Sequence, residues 1–107
     1  MADYVLLYTG GGAMAETEEA RAAQMQAWTD WFGQIGSALK DGGNPFAAEA
    51  KTLASDGSVR DEVSGTPLTG YSIVTAHSLD AATTIAKGCP ILHGGGGVTV
   101  YETFAAM

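Results

Sequence analysis

The sequence predicts an α+β fold, a ferredoxin-like sandwich with an extra β-hairpin, that forms a dimeric α/β barrel. First, β-prone and helical segments follow in the order strand, long helix, hairpin, strand, short helix, strand. Second, right-handed β-α-β crossovers between these segments place both helices on one face of a single sheet. Third, the strands also carry large apolar side chains for the opposite face, and uncovered apolar patches usually mark an interface. We therefore expect a homodimer in which two sheets face each other.

Size and charge restrict the class of protein. A chain of 107 residues suits one domain, residues 1–107, with a single core. The formal charge of −7 and the five scattered basic residues argue against nucleic acid and anionic membranes as partners. The single cysteine, Cys89, excludes an intrachain disulfide. Because the N-terminus has no basic region before its apolar run, and no apolar stretch reaches the length of a membrane span, we expect a cytoplasmic protein.

The first strand and the long helix form the predicted centre of the fold. Residues 4–9 are apolar on both faces, which is typical of a strand buried on both sides. The helix is predicted over residues 17–41, with Thr17 as its N-cap residue and Gly42 and Gly43 after its end. Its apolar residues recur every three or four positions and form one stripe toward the sheet: Met25, Trp28, Phe32, Ile35 and Leu39.

Turn and cap signals separate the later elements. Weak strands over 49–55 and 59–63 flank Asp56-Gly57, a strong hairpin signal. A further strand is predicted over 70–76. Ser78 suits the N-cap of a second helix that runs to Lys87 and ends before Gly88 and Pro90. Residues 94–97 indicate a loop, and residues 98–104 the last strand.

Several short segments, taken together, are similar to a known family. They are Tyr-Val-Leu-Leu-Tyr at 4–8, the helix with Trp28 and Phe32, Asp-Gly-Gly-Asn-Pro-Phe at 41–46, Leu-Thr-Gly-Tyr-Ser-Ile at 68–73, Ser-Leu-Asp-Ala-Ala at 78–82, and Gly-Cys-Pro at 88–90 followed by a glycine-rich turn and the final strand. In these segments the chain resembles the YCII-related family, and most of all its branch named for a DGPF motif. The resemblance covers nearly the whole chain.

This resemblance implies a dimeric α+β barrel and, for some members, enzymes that act on small organic molecules. A His-Asp pair is proposed as catalytic in the YCII branch, and its aspartate matches Asp80. The family's histidine lies in the first helix, where this sequence has none, and no Asp-Gly-Pro-Phe stretch precedes Leu68. Whether the chain is an enzyme is therefore left open. The association of the DGPF branch with extracytoplasmic-function sigma factors implies a regulatory partner as a further alternative.

The candidate catalytic residues are His77, Asp80 and His93. A His77–Asp80 hydrogen bond would orient an imidazole for proton transfer, and His93 would act as a general base from a loop. The alternative is that Asp80 favours the helix N-terminus and both histidines lie on the surface. With two histidines and no carboxylates at ligand spacing, we expect no metal site, and we expect no cofactor. Residues 10–15 fit a dinucleotide fingerprint loosely, and a strand-to-helix loop explains them better.

Aromatic residues predict a ligand pocket between helix and sheet. Trp31 falls beside the apolar stripe and would line the pocket with tyrosines, whereas Trp28 lies on the stripe and would pack in the core. The candidate ligand-binding residues are Tyr8, Trp28, Trp31, Tyr71 and Tyr101. Core and dimer-interface packing is the alternative explanation. For Cys89 a structural thiol is the default.

Three functional hypotheses follow. The first is a protein that binds a small organic molecule in a pocket near the dimer interface. The second is an acid-base enzyme of hydrolase or isomerase type that acts on a small organic substrate. The third is a regulatory interaction module linked to sigma-factor control of transcription.

Overall fold

The computed structural model describes residues 1–10, 16–63 and 65–106. In these residues the fold is α+β, as the sequence predicts, with two α-helices, a four-stranded antiparallel sheet and a separate two-stranded sheet. In chain order the elements are β1 (Ala2–Thr9), α1 (Glu18–Ile35), β2 (Leu39–Asp41), β3 (Thr52–Leu53), β4 (Val59–Arg60), β5 (Leu68–Ala76), α2 (Leu79–Ala86) and β6 (Gly97–Glu102). The order of the larger sheet is β2-β5-β1-β6, and β3 pairs with β4 in the smaller one.

Strand β1 lies at the centre of the larger sheet and directs alternate side chains into the core. Tyr4, Leu6 and Tyr8 are buried on one face. Leu6 lies opposite Ser72 on β5 and opposite Val100 on β6, so the same face continues across three strands. Helix α2 covers this face with small side chains, which let the helix lie close to the strands. The buried apolar cluster is Tyr4, Leu6, Tyr8, Trp31, Val74, Ala76, Ala82, Ala86, Cys89 and Ile91.

Helix α1 is shorter than predicted. It begins after Thr17, whose hydroxyl accepts a hydrogen bond from the backbone N–H of Ala20, so the predicted N-cap is confirmed. It ends at Gly36, which adopts a φ of +54° that favours glycine. A 3-10 turn follows, and Leu39 then lies opposite Val74 as part of β2. The predicted continuation to Asp41 is wrong because strand pairing with β5 satisfies the backbone there instead.

The predicted apolar stripe of α1 also needs correction. The side chain of Met25 is 72% exposed, whereas Trp28, Phe32 and Ile35 are half-buried against the core. The N-terminal half of the helix is therefore largely solvent-exposed, and the helix contacts the core through its C-terminal half.

The remaining elements lie close to their predicted positions. Ser78 caps α2 by accepting a hydrogen bond from the backbone N–H of Ala81, and Lys87 is the C-cap residue. The hairpin forms around Asp56-Gly57, with two residues in each strand rather than the five to seven expected. A 3-10 segment that sequence patterning did not predict occupies Pro90–Gly94.

The second face of the larger sheet is only partly covered. Val5 lies opposite Ile73 on one side and Tyr101 on the other, and Leu7 lies opposite Tyr71. These five residues, which we call the open face, are half-buried or exposed, with Tyr101 57% exposed. The expectation that β1 is buried on both sides is thus not met within one chain.

The dimensions of the chain agree with a two-layer arrangement. The radius of gyration is 15.3 Å, against about 13 Å for a compact domain of about 100 residues. The principal extents are 44 × 40 × 19 Å, so the molecule is flat. None of the helices in the described part of the chain combines the length and the apolar character needed to cross a membrane.

Candidate functional site

An open cleft of about 1220 Å³ lies at the end of the sheet where β1 ends and β5 begins. Helix α1 forms one side of it with residues 23–25, 27–29 and 32, and the segment Pro90–Gly94 contributes every residue except the central Leu92. The other side is formed by residues 42–46 and 69–71. The cleft is therefore bordered by one helix, one 3-10 segment and two strand ends, and its lining is mostly apolar.

Residues 42–46, which we call the strap, are held against β5 by hydrogen bonds and by a glycine that allows close approach. The carboxylate of Asp41 accepts a hydrogen bond from the backbone N–H of Gly43 at 2.8 Å. Gly43 has a φ of +70°, and a Cβ there would overlap the carbonyl oxygen of Tyr71. Pro45 bridges to Gly70, and the backbone N–H of Phe46 donates to the carbonyl of Thr69 at 2.8 Å. The strap thus requires glycine at position 43 to approach the strand this closely.

The strap also positions an aromatic pair at the cleft. The rings of Phe46 and Tyr71 stack with centroids 5.9 Å apart and an interplanar angle of 25°. Both residues line the cleft. Phe46 was not among the candidate residues, although the Asn-Pro-Phe sequence within the family-like segment at 41–46 would have been the signal for it.

Trp31 lies in the core, and Trp28 lies between the core and the cleft. Trp31 is only 3% exposed, and its indole Nε1–H donates to the carbonyl of Ile85 at 3.3 Å. Gly88 permits this burial, since a Cβ there would come within 3.1 Å of the indole nitrogen. Trp28 instead lines the cleft and meets the ring of Tyr8 edge-on, with centroids 5.3 Å apart. The prediction that Trp31 lines the pocket is wrong, whereas Trp28 packs against the core as predicted and also lines the cleft.

A buried network of hydrogen bonds lies beneath the cleft and connects the sheet to the strap. The hydroxyl of Tyr8 donates to Ser72 Oγ at 2.7 Å, and Ser72 Oγ donates to the carbonyl of Gly42 at 2.8 Å. The Cys89 thiol interacts with the same tyrosine hydroxyl. These hydrogen bonds link β1, β5 and the strap, so they hold the strap in place. Ser72, a polar residue at an inward position of β5, was the sequence signal for it and was missed.

The two titratable groups of this hydrogen-bonded network, the phenol of Tyr8 and the thiol of Cys89, are kept neutral. Burial raises the pKa of Tyr8 far above its ordinary value, more than the hydrogen bond to Ser72 lowers it. Burial likewise raises the pKa of the Cys89 thiol. A neutral phenol and a neutral thiol that are already hydrogen-bonded hold structure rather than transfer protons.

The three candidate catalytic residues are not brought together. His93 is exposed and lines the cleft. His77 and Asp80 are exposed at the other end of β5, about 20 Å away along the strand. Within the described ranges, no hydrogen bond joins His77 to Asp80, and Asp80 lies in the first turn of α2, where the helix dipole favours a carboxylate. The predicted His77–Asp80 hydrogen bond is therefore absent.

Of the candidate ligand-binding residues, the cleft unites Tyr8, Trp28 and Tyr71. Tyr101 belongs, like Tyr71, to the open face but does not line the cleft, and Trp31 lies in the core. Gly10 lines the cleft, while the rest of the loose dinucleotide fingerprint, residues 11–15, lies outside the described residues.

The described residues contain no group of three or more His, Cys, Asp or Glu side chains arranged to hold a metal ion. The described lining of the cleft offers apolar contact, aromatic stacking, hydrogen bonding and the imidazole of His93. In comparisons with known proteins, no family model matched the chain, and no curated protein matched it.

Proposed function

We propose that the chain binds a small organic molecule in the cleft between α1 and the sheet. The observation that carries this proposal is the cleft itself, whose largely apolar, aromatic lining suits a small organic ligand. The half-buried ring of Trp28 and the exposed Met25 border it. Large apolar side chains are costly to leave in water, and a bound molecule would cover them.

Binding can be measured with Nile red, an uncharged dye that fluoresces in apolar surroundings. We expect saturable binding of one dye per chain. Trp28→Ser, in the cleft, should weaken it at least tenfold. The matched control Leu53→Ser changes an exposed apolar residue of the hairpin, away from the cleft, and should leave it unchanged. Non-saturable binding, or equal loss in both variants, would refute the proposal.

We further propose that the chain has a ferredoxin-like fold and that two copies form a dimeric α/β barrel. The strand order β2-β5-β1-β6 supports this, since the larger sheet, taken from its β6 edge, runs fourth, first, third, second in chain order. The open face and the flat shape support a second copy as its cover. The arrangement would place the cleft near the interface.

Sedimentation at micromolar concentration tests the dimer. We expect twice the mass of 10.9 kDa for the unmodified chain and a monomer for Ile73→Lys, which places a charge in the open face. Leu53→Lys, on the hairpin, is the control and should remain dimeric. A monomeric unmodified chain would exclude the barrel.

An acid-base enzyme is the second candidate function, and one observation favours it: His93 lines the cleft. Native mass spectrometry of protein purified from its source would identify a retained molecule. If that molecule is turned over, His93→Gln should lower the rate by about 100-fold or more and leave binding unchanged. Membership of the YCII-related family, the link to sigma factors and a cytoplasmic location remain predictions.

A further inference from the structure

We infer that the cleft selects uncharged, flat aromatic molecules and discriminates against organic anions. This inference rests on the proposed binding function and narrows it to a class of ligand. It depends on the charges around the cleft and on the rings that line it.

No charged side chain contributes to the described lining of the cleft. The polar side chains there are Gln24, Thr29, Asn44, Thr69, His93 and the two tyrosines. The five basic residues of the chain lie elsewhere, and two of them, Lys40 and Lys51, form ion pairs with Asp3 and Asp61. Residues 11–15, which follow Gly10 in the sequence, include no lysine or arginine. A bound carboxylate would therefore lose hydration without gaining a cationic partner.

In the described part of the chain, the N-termini of the two α-helices do not supply that partner either. Helix N-termini attract anions through their free N–H groups. The N-terminus of α1 is capped by the Thr17 hydroxyl and that of α2 by the Ser78 hydroxyl, and neither cap residue lines the cleft. The net charge of −7 further disfavours the approach of anions.

The aromatic lining favours flat ligands. Trp28 contacts the ring of Tyr8 edge-on at 5.3 Å and that of Phe32 at 5.8 Å, and it remains half-buried. Stacking on such a ring gives a planar molecule more contact than a branched aliphatic one of equal size. Asn44 and Thr69 at the border can hydrogen-bond to a neutral hydroxyl, carbonyl or amide of the ligand.

A pair of probes that differ only in charge tests the inference. Equilibrium dialysis would compare 2-naphthalenemethanol with 2-naphthoate at about pH 8, where the naphthoate carboxyl group is fully ionised. We expect the alcohol to bind at least tenfold more tightly. Equal or tighter binding of the carboxylate would overturn the inference and leave the proposed binding function intact. So would failure of both probes to bind a protein that binds Nile red saturably.

Two lysine variants of α1 localise the effect. Thr29 lines the cleft, and Gln34 is exposed on the same helix outside it. Thr29→Lys should narrow the preference for the alcohol at least threefold because it adds a cation at the site, whereas Gln34→Lys should leave the ratio unchanged. If both variants shift the ratio equally, overall charge and not the cleft sets the selectivity, and the inference fails. If the unmodified chain does not bind Nile red saturably, the proposed binding function itself is refuted.

Discussion

The approach of the strap to β5 predicts an unusually large effect for the smallest possible substitution, Gly43→Ala. The residue has a φ of +70°, which costs alanine about 1–2 kcal/mol. Its Cβ would also overlap the Tyr71 carbonyl oxygen, and backbone cannot move aside as a flexible side chain can. The strap must therefore shift, which disrupts the hydrogen bond from Phe46 to Thr69, worth about 1 kcal/mol. We expect the free energy of unfolding to fall by about 2–3 kcal/mol in total.

Two other glycines separate these contributions. Gly57 has a φ of +88° but open space around its Cβ position, so Gly57→Ala should lose only the conformational part, about 1–2 kcal/mol. Gly33 lies within α1, also with open space, and Gly33→Ala should stabilise the chain by about 0.5–1 kcal/mol.

Urea unfolding, followed by tryptophan fluorescence, would measure the stability of the three glycine variants. All should be compared at one protein concentration, because the stability of a dimer depends on concentration. Nile red affinity should fall in Gly43→Ala alone, since only that variant displaces Phe46 from Tyr71. If Gly43→Ala and Gly57→Ala were equally stable within about 0.5 kcal/mol, the close approach of the strap would be refuted.

Three further predictions concern the core and the start of α1. Ser72→Ala should lower the free energy of unfolding by about 1–3 kcal/mol, because it leaves the buried Tyr8 hydroxyl without its acceptor. Tyr8→Phe should lower it by about 1 kcal/mol, and urea unfolding of both variants would compare the two losses. Because burial raises the pKa of the Cys89 thiol, the unfolded chain loses that proton first, so stability should fall as pH rises above about 8.5. Cys89→Ala should flatten that part of the pH profile, and an unchanged slope would contradict the assignment. Thr17→Ala should lower stability by about 1 kcal/mol, seen as a lower melting temperature, through loss of the cap on Ala20.

Local signals were sufficient to predict much of the architecture. The β-prone apolar runs of β1 and β5, the Ser78 cap of α2 and the Asp56-Gly57 turn each depend on residues a few positions apart. Short-range sterics and hydrogen bonds decide such features, so the element order could be read without knowledge of the contacts between elements. The α+β class followed from that order.

Features that depend on competition between distant segments could not be read in this way. Leu39 fits the apolar spacing of a helix, and only its pairing with Val74 makes it part of a strand. Trp28 and Trp31 are both apolar and three positions apart, and the space beside Gly88 decides which one is buried. The cleft likewise forms only because the strap, α1 and Pro90–Gly94 meet at one end of the sheet. In each case the free energy comes from contacts between residues far apart in the chain, which periodicity along the sequence does not record.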